Sequence, residues 1–181
     1  MVSFTDGIKF EIVPCFDNND GSFTYPDTND GGSWKTTNPK PEIDAIKTRD
    51  EITANYNLKK LCRMTRVWRN NCNVAISGLE IDTLAYNFIL TYEYKDKSYT
   101  YYDLMVRDFL KYLKNQNPET KYWHAPGSNK FVYRTGNFEY KASVAYNIAV
   151  KACEHETHDP VQDYSATVEW QKIFGSSYKN V

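Results

Sequence analysis

The sequence predicts an α+β chain that is predominantly helical, with one or two strands at the start and five or six helices behind them. Three observations predict it. Ile8 to Phe16, IKFEIVPCF, has the apolar character of a buried strand, carries one acid, Glu11, and is stopped at Pro14. Beyond residue 41, apolar residues recur at three- and four-residue spacing in one segment after another. Between the two, residues 17–41 are so crowded with Gly, Asn, Asp and Pro that they read as a long polar loop. The 181 residues suffice for one domain, or one lobe of a two-lobed protein, with a core that needs no disulfides.

Taken in order, residues 1–4 read as the tail of a strand and Thr5 to Gly7 as a turn into the Glu11 strand. A strand there needs neighbours to pair with, and the chain offers few other candidates. Phe23, Tyr25 and Trp34 inside the polar stretch imply that it packs on something. Residues 42–53 form a plausible helix. The next helix runs from Asn55, a candidate cap, to Asn71, with Leu58, Leu61, Cys62, Thr65 and Trp68 at helical spacing. Ser77 caps the following helix, and Glu80 three residues on completes a capping box. Apolar residues on two sides of that helix (Leu79 and Leu90 on one, Ile81, Leu84 and Phe88 on another) predict a central, largely buried element. Ser98 caps an amphipathic helix ending near Asn115, and residues 122–138, with two Gly and a Pro, read as a loop. Ala142, Ala145, Tyr146, Ala149 and Cys153 share one face of the helix over 139–157. The last helix starts at Pro160 and stops at Gly175.

Charge is nearly balanced at net −1, which argues against a strongly basic nucleic-acid module. The four cysteines match no disulfide framework and no secretory signal precedes them, so reduced thiols in the cytoplasm are expected. No apolar run approaches the ~18 residues that span a bilayer.

Four constellations could carry chemistry. Glu11, on a strand that ends abruptly at Pro14, can point into a cleft beside a metal, or simply face water in normal alternation. Lys59, Arg63 and Arg66 recur at four- and three-residue spacing among the cations of the Asn55–Asn71 helix, a face that could grip a polyphosphate or be merely solvated. Ile76-Ser77-Gly78 sets a hydroxyl and free N–H groups at a helix start, which favours anions as well as capping. Cys153, His155 and His158 offer three zinc-type ligands close in sequence, one short of a structural set.

In order along the chain, KFEIVPCF, the segment from Asp20 to Ile43, NLKKLCRMTRVWR and ISGLEIDTLAYNF resemble the second half of the SMODS-type nucleotidyltransferases, bacterial relatives of cyclic GMP–AMP synthase and oligoadenylate synthetase. YYDLMVRDF, YWHAPGSNKFVY and EYKASVAYN extend the likeness over roughly Ile8 to Gly175. The resemblance implies the helical lobe of a polymerase β-like fold with one or two palm strands: residues 1–41 as palm strand and loop, 42–181 as C-terminal helical domain. It implies two Mg²⁺ ions on three palm carboxylates and nucleoside triphosphates as substrates, with oligonucleotide products that signal phage infection. Carried over by position, Glu11 matches the third metal-side carboxylate and Arg66 a cation on the triphosphate. Ser77 matches a hydroxyl near the same phosphates, with Lys59 and Arg63 on the same basic face. Tyr56 and Tyr86 match the walls of the base pocket.

One departure matters. The first two carboxylates of the family follow a Gly-Ser loop upstream of the Glu11 strand. Here Gly21-Ser22, Gly32-Ser33 and Gly127-Ser128 lead into no strand with paired acids. One carboxylate cannot fix two Mg²⁺ ions, so the chain alone is expected to be inactive and to hold no metal tightly. Its expected partners are a missing N-terminal palm segment and, through an exposed strand, a second copy. Nucleic acid and membrane are not expected partners. A stand-alone nucleotide- or RNA-binding or interaction domain is the alternative reading.

Overall fold

The computed structural model describes residues 2–3, 5, 9–10, 12–53, 55–158 and 160–179. The chain divides into two compact units, Met1–Ile43 and Asp44–Val181. The class is α+β and mainly helical, with six α-helices and seven short strands among the described residues.

In the first unit β1 (Val2–Ser3) pairs antiparallel with β2 (Lys9–Phe10). β3 (Phe16–Asp17), β4 (Phe23–Asp27) and β5 (Ser33–Thr37) form a three-stranded antiparallel sheet in sequence order. Residues 17–41 are therefore not a long loop. The Gly, Asn and Asp residues occupy two turns, and the Thr, Tyr, Trp and Phe residues between them form the strands. In the first turn Asp20 accepts hydrogen bonds from the Ser22 amide at 2.9 Å and its hydroxyl at 2.6 Å. In the second, Asp27 accepts from the Asn29 amide at 3.1 Å and pairs with Lys35 across the hairpin. Pro26 is tolerated on the middle strand because β3 reaches only Phe23 and Thr24. Trp34 remains 65% exposed, its ring 5.7 Å from that of Phe16.

The second unit is a helical bundle. α1 spans Lys40–Ile52, α2 Asn57–Asn71, α3 Gly78–Thr91, α4 Tyr102–Lys114, α5 Glu139–Glu156 and α6 Asp163–Phe174. α3 is buried along one of the two apolar sides expected to be covered: Ile81, Leu84, Ala85 and Ile89 are fully buried, whereas Leu79 and Leu90 on the other are 44% and 47% exposed. The capping box is present, with Ser77 accepting from the Glu80 amide and Glu80 from the Ser77 amide. Along α5, Ala142, Ala145, Ala149 and Ala152 form a buried stripe of small side chains, against which α4 and α6 pack more extensively than any other helix pair. Trp68 and Trp170 fill the core, and truncating either to Ala would cost about 3–5 kcal/mol.

Five further expectations are corrected. Among the described residues of the Ile8–Phe16 stretch only Lys9–Phe10 and Phe16 are strand, and Ile12 and Val13 are 67% and 47% exposed, so it is not one buried strand. Ser98 does not cap α4, which starts at Tyr102; it precedes a 3₁₀ turn over Tyr99–Tyr101 and makes no side-chain cap hydrogen bond. Asn55 does not cap α2; it sits at φ 54 before Tyr56, also left-handed at φ 56. The buried Asp50 of α1 serves instead, accepting the Lys59 amide at 3.2 Å. Residues 122–138 contain a hairpin, β6 (Tyr122–His124) with β7 (Phe131–Tyr133), in which Trp123 opposes Val132. α6 starts three residues beyond Pro160, although Gly175 does stop it, at φ 91. Among the described residues no helix is long and apolar enough to cross a membrane.

Candidate phosphate site at the start of α3

α2 and α3 are joined by a short turn that puts the last cations of one helix beside the first amides of the next. The turn is anchored by Val74 and Ile76, 7% and 3% exposed, and by the Val74 amide donating to the Arg69 carbonyl at 2.9 Å. Asn73 turns the chain at φ 49. Arg66 and Arg69, three residues apart, project from one face of the last turns of α2. A Cβ on Gly78 would lie 3.7 Å from both Nε and Nη2 of Arg66 and 4.0 Å from Nη1 of Arg69. Two guanidinium groups thus converge on the first residue of α3, where the helix presents unsatisfied amides and the positive end of its dipole.

The cradle is held from two sides. Arg66 Nη2 donates to both carboxylate oxygens of Asp82 at 2.6 Å and to the Gly78 carbonyl at 3.3 Å. Burial opposes the charge of Arg66, but the hydrogen bonds and charge of Asp82 outweigh it and hold the guanidinium above its ordinary pKa. Behind the turn, Glu80 is fully buried; it accepts from the Ser77 amide at 2.7 Å, the Thr135 amide at 2.9 Å and the Thr135 hydroxyl. This ties the 134–136 segment to the cap. Gly136 approaches so closely that a Cβ there would meet the Ala75 Cβ at 2.5 Å. A shallow groove of about 410 Å³ opens beside the turn, lined by Arg69, Asn70, Asn73, Ala75 and Thr135 among others.

Of the residues singled out from sequence, Arg66 and Ser77 come together here. Arg63 is exposed one turn back on α2. Lys59 lies at the opposite end of that helix, with Nζ 3.7 Å from buried Asp50. Tyr56 is 59% exposed next to it. Tyr86 is half-buried on α3, with the Arg49 guanidinium 3.8 Å from its ring centroid. Glu11, the candidate metal carboxylate, lies outside the described residues. Cys153, His155 and His158 do not form a set: His155 Nδ1 contacts Gln162 Oε1 at 2.7 Å and His158 Nδ1 the Pro160 carbonyl at 3.1 Å. Arg69 stands in the sequence reading only as one of the cations of α2; Asp82 and Thr135 are not singled out there. The three-residue step from Arg66 to Arg69 signals the first; nothing local signals the pairing of Asp82 or Thr135.

Residues 1–50 match the model of the Second Messenger Oligonucleotide or Dinucleotide Synthetase domain, SMODS. A structure of a mutant Vibrio cholerae dinucleotide cyclase, DncV, in complex with ATP, GTP and 5MTHFGLU2, superposes with a TM-score of 0.67 at 17% identity, over 94% of this chain and 43% of that one. The fold is shared with that DncV chain. Vibrio cholerae DncV, described as a cyclic AMP-GMP synthase, in complex with nonhydrolyzable GTP, gives a TM-score of 0.63 at 16% identity, over 88% of this chain and 43% of that one. The chain thus spans less than half the length of the DncV chains it matches. No curated protein sequence matches it.

Proposed function

We propose that this chain supplies the nucleotide-binding helical lobe of a cyclic-oligonucleotide synthase, and that the start of α3 holds the triphosphate. The observation that carries this reading is the convergence of Arg66 and Arg69 on Gly78 at a helix N-terminus. Guanidinium groups and helix amides together recognise phosphate oxygens through charge-assisted hydrogen bonds. Asp82 keeps Arg66 extended across the site and competes with an incoming phosphate for one of its edges. ATP and GTP bound to DncV support nucleoside triphosphates as the ligand class here.

Nucleotide transfer needs more than this cradle. Under this reading Glu11 serves as one of three carboxylates that hold Mg²⁺, and two further carboxylates complete the set. The metal would neutralise charge on the phosphates and activate the attacking hydroxyl. The chain itself then binds and orients the nucleotide, in the cytoplasm, in a signalling system directed against phage. Two measurements test this. Incubation of the chain with Mg²⁺, ATP and GTP should yield no dinucleotide, and product formation would contradict the need for further carboxylates. Titration with nonhydrolyzable GTP should give salt-dependent binding that an Arg66→Ala/Arg69→Ala variant loses by about tenfold or more. Binding unchanged in that variant would move the phosphates elsewhere.

A further inference from the structure

Away from the α3 cradle, a cavity of about 910 Å³ opens among residues of α2, α4, α5, α6 and the segment after α6. Its walls are aromatic, with Tyr102, Trp170, Phe174 and Tyr178, but two acids also line it, Asp103 and Glu156. Asp103 stands in the first turn of α4, and Glu156 ends α5, one turn beyond Cys153. A carboxylate oxygen of each acid and the Cys153 Sγ all lie within 4.8 Å of one another.

We infer that Asp103, Cys153 and Glu156 form a binding site for a thiophilic divalent cation, zinc by the preferences of its ligands. Two observations support the site. The first is the convergence of three ligand atoms of suitable chemistry, two of them from acids that line the cavity. The second is the state of Cys153: it is 5% exposed, and its thiol makes no hydrogen bond among the described residues. Arg107 Nε donates to Asp108 at 2.9 Å, and Lys179 lines the cavity at its edge. Glu156 is already oriented as metal-bound carboxylates are, by an outer hydrogen bond, here from Trp170 Nε1 at 2.8 Å.

The surrounding field agrees. Burial first, and then Asp103 and Glu156, push the Cys153 thiol up to about 12. Burial and the same two acids, Glu156 first, push the Tyr178 phenol up to about 12. A divalent cation placed among these groups inverts that bias and takes the thiol as thiolate. Zinc–sulfur and zinc–oxygen bonds of about 2.3 and 2.1 Å set tetrahedral ligand atoms about 3.5 Å apart. The half-exposed side chains of Asp103 and Glu156 need to close by only about 1 Å to reach that geometry. Three protein ligands leave a fourth position open, the arrangement of an exchangeable site. Magnesium is disfavoured, because it takes oxygen ligands in octahedral geometry and gains nothing from a buried thiol.

Cobalt(II), a spectroscopic substitute for zinc, tests the site. Titrated into the full chain carrying Cys15→Ser and Cys72→Ser, it should produce a sulfur-to-cobalt charge-transfer band that zinc then removes. Cys153→Ser should abolish the band, and Asp103→Asn should weaken binding by about tenfold or more. Circular dichroism confirms folding of each variant, and Asp103→Asn carries the test alone if Cys153→Ser fails to fold. The proposal is overturned if no band forms in the Cys15→Ser/Cys72→Ser protein, if the band survives Cys153→Ser, or if Asp103→Asn binds as tightly as its parent.

Discussion

Glu80→Ala removes one side chain and three hydrogen bonds. Glu80 is fully buried, and it accepts from the Ser77 amide, the Thr135 amide and the Thr135 hydroxyl. Hydrogen bonds to a charged acceptor contribute about 1.5–3 kcal/mol each, but they share one carboxylate and are not additive. Half of the capping box is lost as well, and the Ser77 and Thr135 amides are left as partly buried donors with nothing in their place. The expected loss is about 3–5 kcal/mol. Glu80→Gln keeps one acceptor oxygen but faces an amide NH₂ towards those donors, so its loss should be about 2 kcal/mol or more. For a chain of this size each kcal/mol shifts Tm by about 2–4 °C, so Glu80→Ala should melt roughly 6–20 °C below the parent. Urea denaturation followed by circular dichroism gives the free energies directly. A loss below about 1 kcal/mol for Glu80→Ala would refute the view that this carboxylate pins the α3 cap to the 134–136 segment.

Other outcomes follow from the same geometry. Gly136→Ala should destabilise by about 1–3 kcal/mol in urea titrations, because its Cβ would meet that of Ala75 at 2.5 Å; an unchanged midpoint would show that the two segments part freely. In the first unit the Asp20 carboxyl is held below the ordinary 3.8, first by the Ser22 hydroxyl. The Asp27 carboxyl is held below it too, first by Lys35. Their contribution to the β3–β4–β5 sheet is therefore complete above about pH 4 and is lost as pH falls through the lower folded values. Amide chemical shifts of Ser22 and Asn29 should titrate with midpoints under 3.8, and midpoints at or above it would contradict the hydrogen bonding. Ile12, Val13, Phe16 and Trp34 are 67%, 47%, 64% and 65% exposed, and so many exposed apolar side chains in and beside short strands favour self-association. Light scattering should show dimers or larger species at high concentration; a clean monomer would count against it.

The helical half was legible because its signals are local. Ser77 and Glu80 stand three residues apart, and the alanines of α5 repeat at helical spacing, so both could be read without knowing what they touch. Arg66 drew notice for its place between Thr65 and Val67, and the structure sets it beside Gly78, the residue after Ser77. The strands were hidden by their brevity. β4 and β5 have five residues each, and the Gly-, Asn- and Asp-rich turns around them dominate the composition of residues 17–41. The β6–β7 hairpin was hidden the same way by Pro126 and Gly127. What no local pattern reveals is pairing across the chain. Asp50 takes the capping role expected of Asn55, Asp82 clamps Arg66, Thr135 meets Glu80, and Cys153 meets Asp103 rather than its neighbouring histidines.

The claim on which most depends is that the start of α3 recognises phosphate. Calorimetric titration with GTP, GDP and GMP, repeated on Arg69→Ala, tests it most directly. Affinity should fall stepwise as phosphates are removed, and Arg69→Ala should weaken GTP by about tenfold while leaving GMP nearly unaffected. Equal affinity for GTP and GMP, or an Arg69→Ala protein that binds GTP as its parent does, would contradict it.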